Sequence, residues 1–259
     1  MNRKLLILFL LAVTFQMPAT AKQKPTVFII GDSTVKNGKG DGGGGLWGWG
    51  DIMIQFFDTT RIHVENHALG GTSSRTFQTK GLWEKVRLKL GKGDFVLMQF
   101  GHNDNGPVND TLRARGTIKG IGEDSVAIDN LITKQHEVVH SYGWYMRKMI
   151  RETKAKGAIP VIITPVPRDN WENGKIKRTE GSYRDWVLEI AALEKMGVID
   201  LNELVSRKYE ELGMDRVKAY FPADHTHTNR EGAELNAKIL TDELSLQKKN
   251  KLRKYLIAN

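Results

Sequence analysis

The chain contains no cysteine in 259 residues. That excludes disulfides and lipid attachment through cysteine, so an exported protein of this composition must be held by its core alone. It also lacks an apolar run long enough to span a bilayer. The only extended one, Leu5 to Phe15, is 11 residues, against the ~20 that a transmembrane helix needs. No Gly-Lys-Ser/Thr sequence follows the glycine-dense stretch Lys36 to Gly45, which argues against a phosphate-binding loop. No helix-turn-helix, finger or aromatic-basic module is evident. Tandem repeats at solenoid periods and a persuasive internal linker are also missing.

The N-terminus does carry an address. Arg3 and Lys4 precede the apolar run, and Ala19-Thr20-Ala21 is a small-residue cleavage site. Residues 1–21 therefore read as a signal peptide, with residues 22–259 as one mature domain. Export to the periplasm or beyond is expected, with no stable membrane insertion after cleavage. The net charge of +9 falls to +7 when Arg3 and Lys4 leave. A basic exported protein meets acidic partners. With no nucleic-acid module, an anionic polysaccharide or a membrane surface fits that balance, and so does plain solubility.

Val27-Phe28-Ile29-Ile30 runs straight into Gly31-Asp32-Ser33-Thr34. This reads as a buried strand ending in a tight turn, with Ser33 at the carboxyl edge where open α/β sheets keep their ligands. Further strands are expected at Ile62 to Asn66, Asp94 to Phe100, Ile159 to Thr164 and Val198 to Leu201. Trp49, Met53, Phe56 and Phe57 recur at helical spacing. Helices are expected over Lys80 to Leu90, Val138 to Lys156 and Ser182 to Met196, the last with Tyr183, Trp186, Val187, Ile190 and Leu193 on one face. Thr228 and Glu231 fit a capping box opening a helix through Leu240. Residues 105–137 show no clear periodicity and read as a long functional loop, and Lys248 to Lys254 as a solvated tail. Strands alternating with helices imply one parallel, doubly wound sheet.

Three strand ends deliver Ser33, Gly70-Gly71 and Asn103 to one edge, and the loop holding Asp224 and His227 can reach it. Acyl transfer needs these parts. Serine needs a base, the base needs a carboxylate to fix its tautomer, and the oxyanion needs preorganised donors. The spacing supplies Ser33, His227 and Asp224 as nucleophile, base and orienter. The Ser33 and Gly71 N–H groups and the Asn103 side chain stand as oxyanion donors. A zinc site from Asp224, His225 and His227 is the competing reading, and it lacks an obvious fourth ligand. No cofactor is called for.

At this point the chain resembles the SGNH (GDSL-type) hydrolases, whose ordered blocks supply Ser, Gly, Asn and an Asp-x-x-His pair. Here these are Ser33, Gly71, Asn103 and Asp224/His227. The family pattern selects His227 over His225. Gly71-Thr72-Ser73-Ser74-Arg75, Phe100 to Asp104 and Asp224 to Thr228 look most like the rhamnogalacturonan acetylesterase family. The resemblance implies a flavodoxin-like three-layer α/β/α sandwich with a five-stranded parallel sheet. It also implies a serine esterase removing acetyl groups from an acidic plant cell-wall polysaccharide, with acetylated xylan, another neutral glycan or a lipid ester as the alternative substrate. A non-enzymatic carbohydrate-binding protein is the distant alternative, on Trp47, Trp49 and Trp171. Lys36, Arg75 and Arg168 are candidate partners for substrate carboxylates, and Arg168 and Trp171 are the expected substrate contacts.

Overall fold

The computed structural model describes residues 24–178 and 181–257. The expected signal peptide lies outside them. In chain order the strands are β1 (Thr26–Gly31), β2 (His63–Asn66), β3 (Phe95–Gln99), β4 (Ser125–Asp129), β5 (His136–His140), β6 (Ile159–Ile163), β7 (Trp171–Glu172), β8 (Lys175–Ile176) and β9 (Val198–Ile199). The helices are α1 (Trp49–Ile52), α2 (Ser74–Thr79), α3 (Leu82–Lys89), α4 (Tyr142–Ala155), α5 (Tyr183–Leu193), α6 (Leu201–Leu212), α7 (Met214–Lys218) and α8 (Arg230–Leu246).

The main sheet is parallel, in the order β2-β1-β3-β6-β9. Val27 to Ile30 of β1, Phe95 to Met98 of β3 and Val161 to Ile163 of β6 are apolar throughout because side chains alternate faces and both faces are covered. Val27 and Ile29 of β1, with Phe95 and Leu97 of β3, join a core with Trp49, Tyr209, Ala237 and Leu240. Phe28, Ile30, Val96 and Met98 point the other way, onto Phe77, Trp83, Met146 and Ile190. This is the expected α/β/α sandwich. The strand order reverses at β1, since β2 lies on one side of it and β3 on the other. The carboxyl ends of β1 and β3 therefore flank the crevice where such folds bind ligands. Pro160 is tolerated within β6 because β9 pairs only with Ile162 and Ile163, which leaves that flank of β6 without a strand partner there.

Several local expectations are corrected. Residues 105–137 are not an unbroken loop, because β4 and β5 form an antiparallel hairpin. β5 takes the first residues of the expected helix Val138 to Lys156, which begins only at Tyr142, capped by Ser141. Residues 74–79 form α2, a short helix that the sequence did not suggest. The cap of α8 is Asn229, whose side chain accepts from the Gly232 N–H, and the helix runs past Leu240 to Leu246. Thr228 instead donates its hydroxyl to the Trp47 carbonyl. Leu193 is 60% exposed at the end of α5 rather than on its buried face. The basic tail folds into a 3-10 turn, Lys251–Tyr255, that buries Leu252 completely.

Candidate functional site

The serine turn is built from below. Gly31 must be glycine, since a Cβ there would lie 2.4 Å from Val35 Cγ2 and 2.6 Å from the Gln99 carbonyl oxygen. The Val35 and Lys36 N–H groups fold back onto the Asp32 carbonyl. Buried side chains then pin the turn. Trp49 Nε1 donates to Gln99 Oε1 at 2.9 Å, Gln99 Nε2 donates to Thr34 Oγ1 at 2.7 Å, and Thr34 Oγ1 donates to Asp32 Oδ1 at 2.8 Å. Ser33 stands at the end of this chain, its hydroxyl aimed outward.

His227 Nε2 lies 2.8 Å from Ser33 Oγ, and its Nδ1 lies 2.7 Å from Asp224 Oδ2. The other Asp224 oxygen accepts from the backbone N–H groups of Thr226 and His227, at 2.7 and 2.8 Å. The Asp-x-x-His spacing thus lets one carboxylate hold both the imidazole and the backbone of its own loop. Burial alone would raise the Asp224 pKa, but the His227 ring and the two N–H donors outweigh it and hold the group at about 2. The loop is clamped on two sides. Trp47 and Thr228 form an antiparallel bridge, and the Asp169 N–H donates to the His225 carbonyl at 2.8 Å. Arg230 lies over the Trp47 ring at 5.4 Å.

On the other side of Ser33, the β2 connection reaches Gly70 and Gly71. A Cβ on Gly70 would lie 3.6 Å from the Ser33 Cβ, so this turn passes directly beside the serine. Gly71 has φ +78°, a conformation that side chains rarely adopt. Asn103, at the end of β3, donates through Nδ2 to the Thr72 carbonyl at 2.8 Å, which ties its amide to that turn. Its other amide hydrogen meets no acceptor among the described residues. Among the described residues the Ser33 and Gly71 N–H groups donate to no protein acceptor. A serine hydroxyl on an imidazole backed by a carboxylate, with free N–H groups alongside, is the arrangement that general-base attack on an ester carbonyl requires.

His225 does not share this chain. Its Nε2 accepts from Arg168 Nη1 at 3.2 Å, and a guanidinium on that nitrogen leaves no place there for a metal cation. Arg168 also donates to the His102 carbonyl at 3.4 Å. Arg75 is fully buried and pairs with Glu137 through Nε and Nη2, at 2.7 and 2.6 Å. Its Nη1 donates to the Val108 and Gly116 carbonyls, so the side chain latches α2 to β5 and faces no substrate. Trp171 is half-buried against the core and donates to Asp169 Oδ1 at 2.7 Å. Lys36 donates to the Asn66 carbonyl at 3.3 Å.

Sequence reasoning passed over Arg115 and Asp104. Arg115 Nη1 donates to the Gly71 carbonyl at 3.0 Å, behind the turn beside Ser33. Asp104 Oδ1 accepts from the Ser74 N–H at 3.0 Å and the Ser74 hydroxyl at 2.5 Å. Burial, with the like charge of Asp32 adding to it, pushes the Asp104 carboxyl up to about 7 despite the Ser74 donors. Burial also lowers the His102 pKa. The Gly-His-Asn-Asp sequence carries both groups, and only their burial separates them from ordinary turn residues.

With this geometry in place, the comparisons with known proteins define a class. The GDSL-like lipase/acylhydrolase family model matches residues 27–240, and the chain belongs to that family. Among its curated relatives, a rhamnogalacturonan acetylesterase from Emericella nidulans is 29% identical over 82% of this chain and 81% of its own. Rhamnogalacturonan acetylesterase RhgT from Bacillus subtilis is 31% identical, over 89% of this chain and 95% of its own. The crystal structure of Bacillus subtilis YxiM superposes with a TM-score of 0.70 at 29% identity. It covers 87% of this chain but only 57% of that one, so this chain spans little more than half of YxiM. An acetylxylan esterase from Geobacillus stearothermophilus shares the fold, with a TM-score of 0.57 at 16% identity, over 86% of this chain and 95% of its own.

Proposed function

We propose that this protein is an exported serine esterase that removes acetyl groups from an acidic plant cell-wall polysaccharide, rhamnogalacturonan being the favoured substrate. The observation that carries the reading is the hydrogen-bond chain Ser33–His227–Asp224 at the carboxyl ends of β1 and β3. In the proposed cycle His227 takes the Ser33 proton as Oγ attacks the acetyl carbonyl, and the tetrahedral oxyanion is held by the Ser33 and Gly71 N–H groups and Asn103 Nδ2. His227 then protonates the departing sugar oxygen, which leaves as a hydroxyl. Water, deprotonated by the same imidazole, attacks the acetyl-serine; Ser33 Oγ leaves, takes that proton back from His227, and acetate is released. Asp224, ionised throughout the neutral range, stabilises the imidazolium. No step calls on a cofactor. The substrate choice rests on relatives at about 30% identity named for rhamnogalacturonan. The neutral-glycan reading rests on a likeness of fold.

Acetate release from acetylated rhamnogalacturonan and acetylated xylan, side by side, tests the reading. Faster release from the first is expected, together with covalent labelling of Ser33 by an organophosphate. No labelling and no acetate from either polymer would sink the esterase reading, and a clear preference for xylan would leave a general carbohydrate esterase. Export is read from the same native preparation by mass spectrometry, where a mature N-terminus at Lys22 is expected and a retained Met1 would contradict it.

A further inference from the structure

A cleft of about 410 Å³ opens beside the serine site, between the loop after β6, the start of α5 and the loop carrying Lys119. Its wall contains Lys119, Arg168, Lys177 and Arg184 and not one aspartate or glutamate among the described residues. Two of the four have partners outside the cleft. Arg184 pairs with Asp200 at 2.5 Å, and Lys177 sits 3.6 Å from Glu172. Lys119 and Arg168 are exposed and meet no carboxylate within ion-pair distance among the described residues.

Arg168 connects this cleft to the chemistry. Its guanidinium touches His225, two residues before His227, and the carbonyl of His102, one residue before Asn103. A ligand held against Arg168 therefore lies next to both the triad loop and the proposed oxyanion donor. Asn105, Asn170 and Trp186 line the same wall. Amides and an aromatic edge suit sugar hydroxyls and an apolar ring face, and unpaired cations suit a carboxylate.

We infer that this cleft is a subsite for a uronate: Lys119 and Arg168 bind the carboxylate of a sugar flanking the acetylated one, and Trp186, Asn105 and Asn170 contact its ring. The inference rests on the polysaccharide-esterase reading for its substrate but not on the catalytic roles. Trp186 takes the part that the sequence suggested for Trp171. Lys119 is the cleaner probe of the two cations, because Arg168 also braces His102 and His225.

Binding, rather than turnover, separates the subsite from the esterase. The full chain is titrated calorimetrically with a deacetylated rhamnogalacturonan oligosaccharide and with the same oligosaccharide after its carboxyl groups are reduced to alcohols. Lys119→Gln should weaken binding of the acidic form by about 5-fold, the scale of one partly exposed charge pair, and Lys119→Glu by about 20-fold. Lys119→Arg should restore the parent affinity. Added salt should weaken the acidic ligand and not the reduced one. All four proteins should bind the reduced form alike. Equal affinity of the parent for both forms, no binding of the acidic form, or an equal loss on both forms in Lys119→Gln would overturn the subsite. Acetate release from a small neutral ester by the parent, measured separately, reports on the esterase reading alone.

Discussion

Two loops meet at the carboxyl edge of the sheet, residues 221–229 with Asp224 and residues 100–117 with Asp104, and they treat an aspartate in opposite ways. Asp224 keeps a side chain 42% exposed and collects an imidazole and two backbone N–H donors. Its pKa falls from 3.8 to about 2. Asp104 is 1% exposed and has donors at one oxygen only; its Oδ2 is buried with no partner. Its pKa rises from 3.8 to about 7. Both carry hydrogen bonds, three at Asp224 and two at Asp104, and burial is far deeper at Asp104. What differs is whether the second oxygen has water or a partner to go to, because a carboxylate shut away from both is costly to ionise. One loop thus holds a permanent charge behind an imidazole, and the other holds a group that changes charge near neutrality beside the proposed oxyanion donor.

The largest effect should come from breaking the first loop's chain. Ser33→Ala and His227→Ala should each lower turnover by several orders of magnitude, since the serine is then absent or left without a base. His225→Ala should be far milder, because His225 meets Arg168 and not the serine. Steady-state turnover on a small acetyl ester decides this. Reversed severity of the two histidines would require the chain to be redrawn.

The next effect belongs to the junction of the loops. Asn103→Ala should lower turnover by roughly 10²- to 10³-fold with little change in substrate affinity, the scale of one lost oxyanion donor. Because Asn103 also ties to the Thr72 carbonyl, Asn103→Asp is the companion variant. It keeps the shape and replaces donors with charge, so it should be at least as damaging. A loss confined to KM would make Asn103 a substrate-binding residue instead.

The sheet and the hydrogen-bond chain Ser33–His227–Asp224 were legible in the sequence because each is written in a local pattern. β1, β3 and β6 are apolar runs ending in turn residues, and the Asp-x-x-His spacing closes a hydrogen-bonded ring within four residues. The β4–β5 hairpin was not legible. Val126, Ala127 and Val138 are exposed, so the alternation that marks a half-buried strand is missing. Its anchor is instead a long-range pair, Arg75 with Glu137, 62 residues apart. The same distance in sequence hid the role of Arg75, which by position follows the turn beside Ser33 and by contact belongs to the hairpin. The place of Trp186 in the cleft wall was hidden for a related reason. Helical spacing placed Trp186 on the buried face of α5, and nothing in a single sequence shows that the residue is only partly buried and also lines a cleft.

The smallest effect on turnover, and the sharpest test of the contrast, is Asp104→Asn. Asparagine keeps an oxygen for the Ser74 donors and removes the ionisation. For the parent, the folded pKa of about 7 lies above the unfolded value of 3.8, so between those values the folded state binds more protons than the unfolded one. Stability from this group is therefore full below about pH 4, declines as pH rises toward 7, and stays level above it. Asp224 works the other way. Its contribution is present above about pH 4 and is lost as pH falls toward 2. The two windows barely overlap, so one denaturation series from pH 3 to 8 separates them. Parent and Asp104→Asn should show the same loss on the acid side. From pH 4 to 7 the parent should lose stability relative to the variant, and the gap should stop growing above pH 7. Parallel curves across that interval would mean that Asp104 is already ionised at pH 4 in the folded protein, and that its buried oxygen has a partner after all.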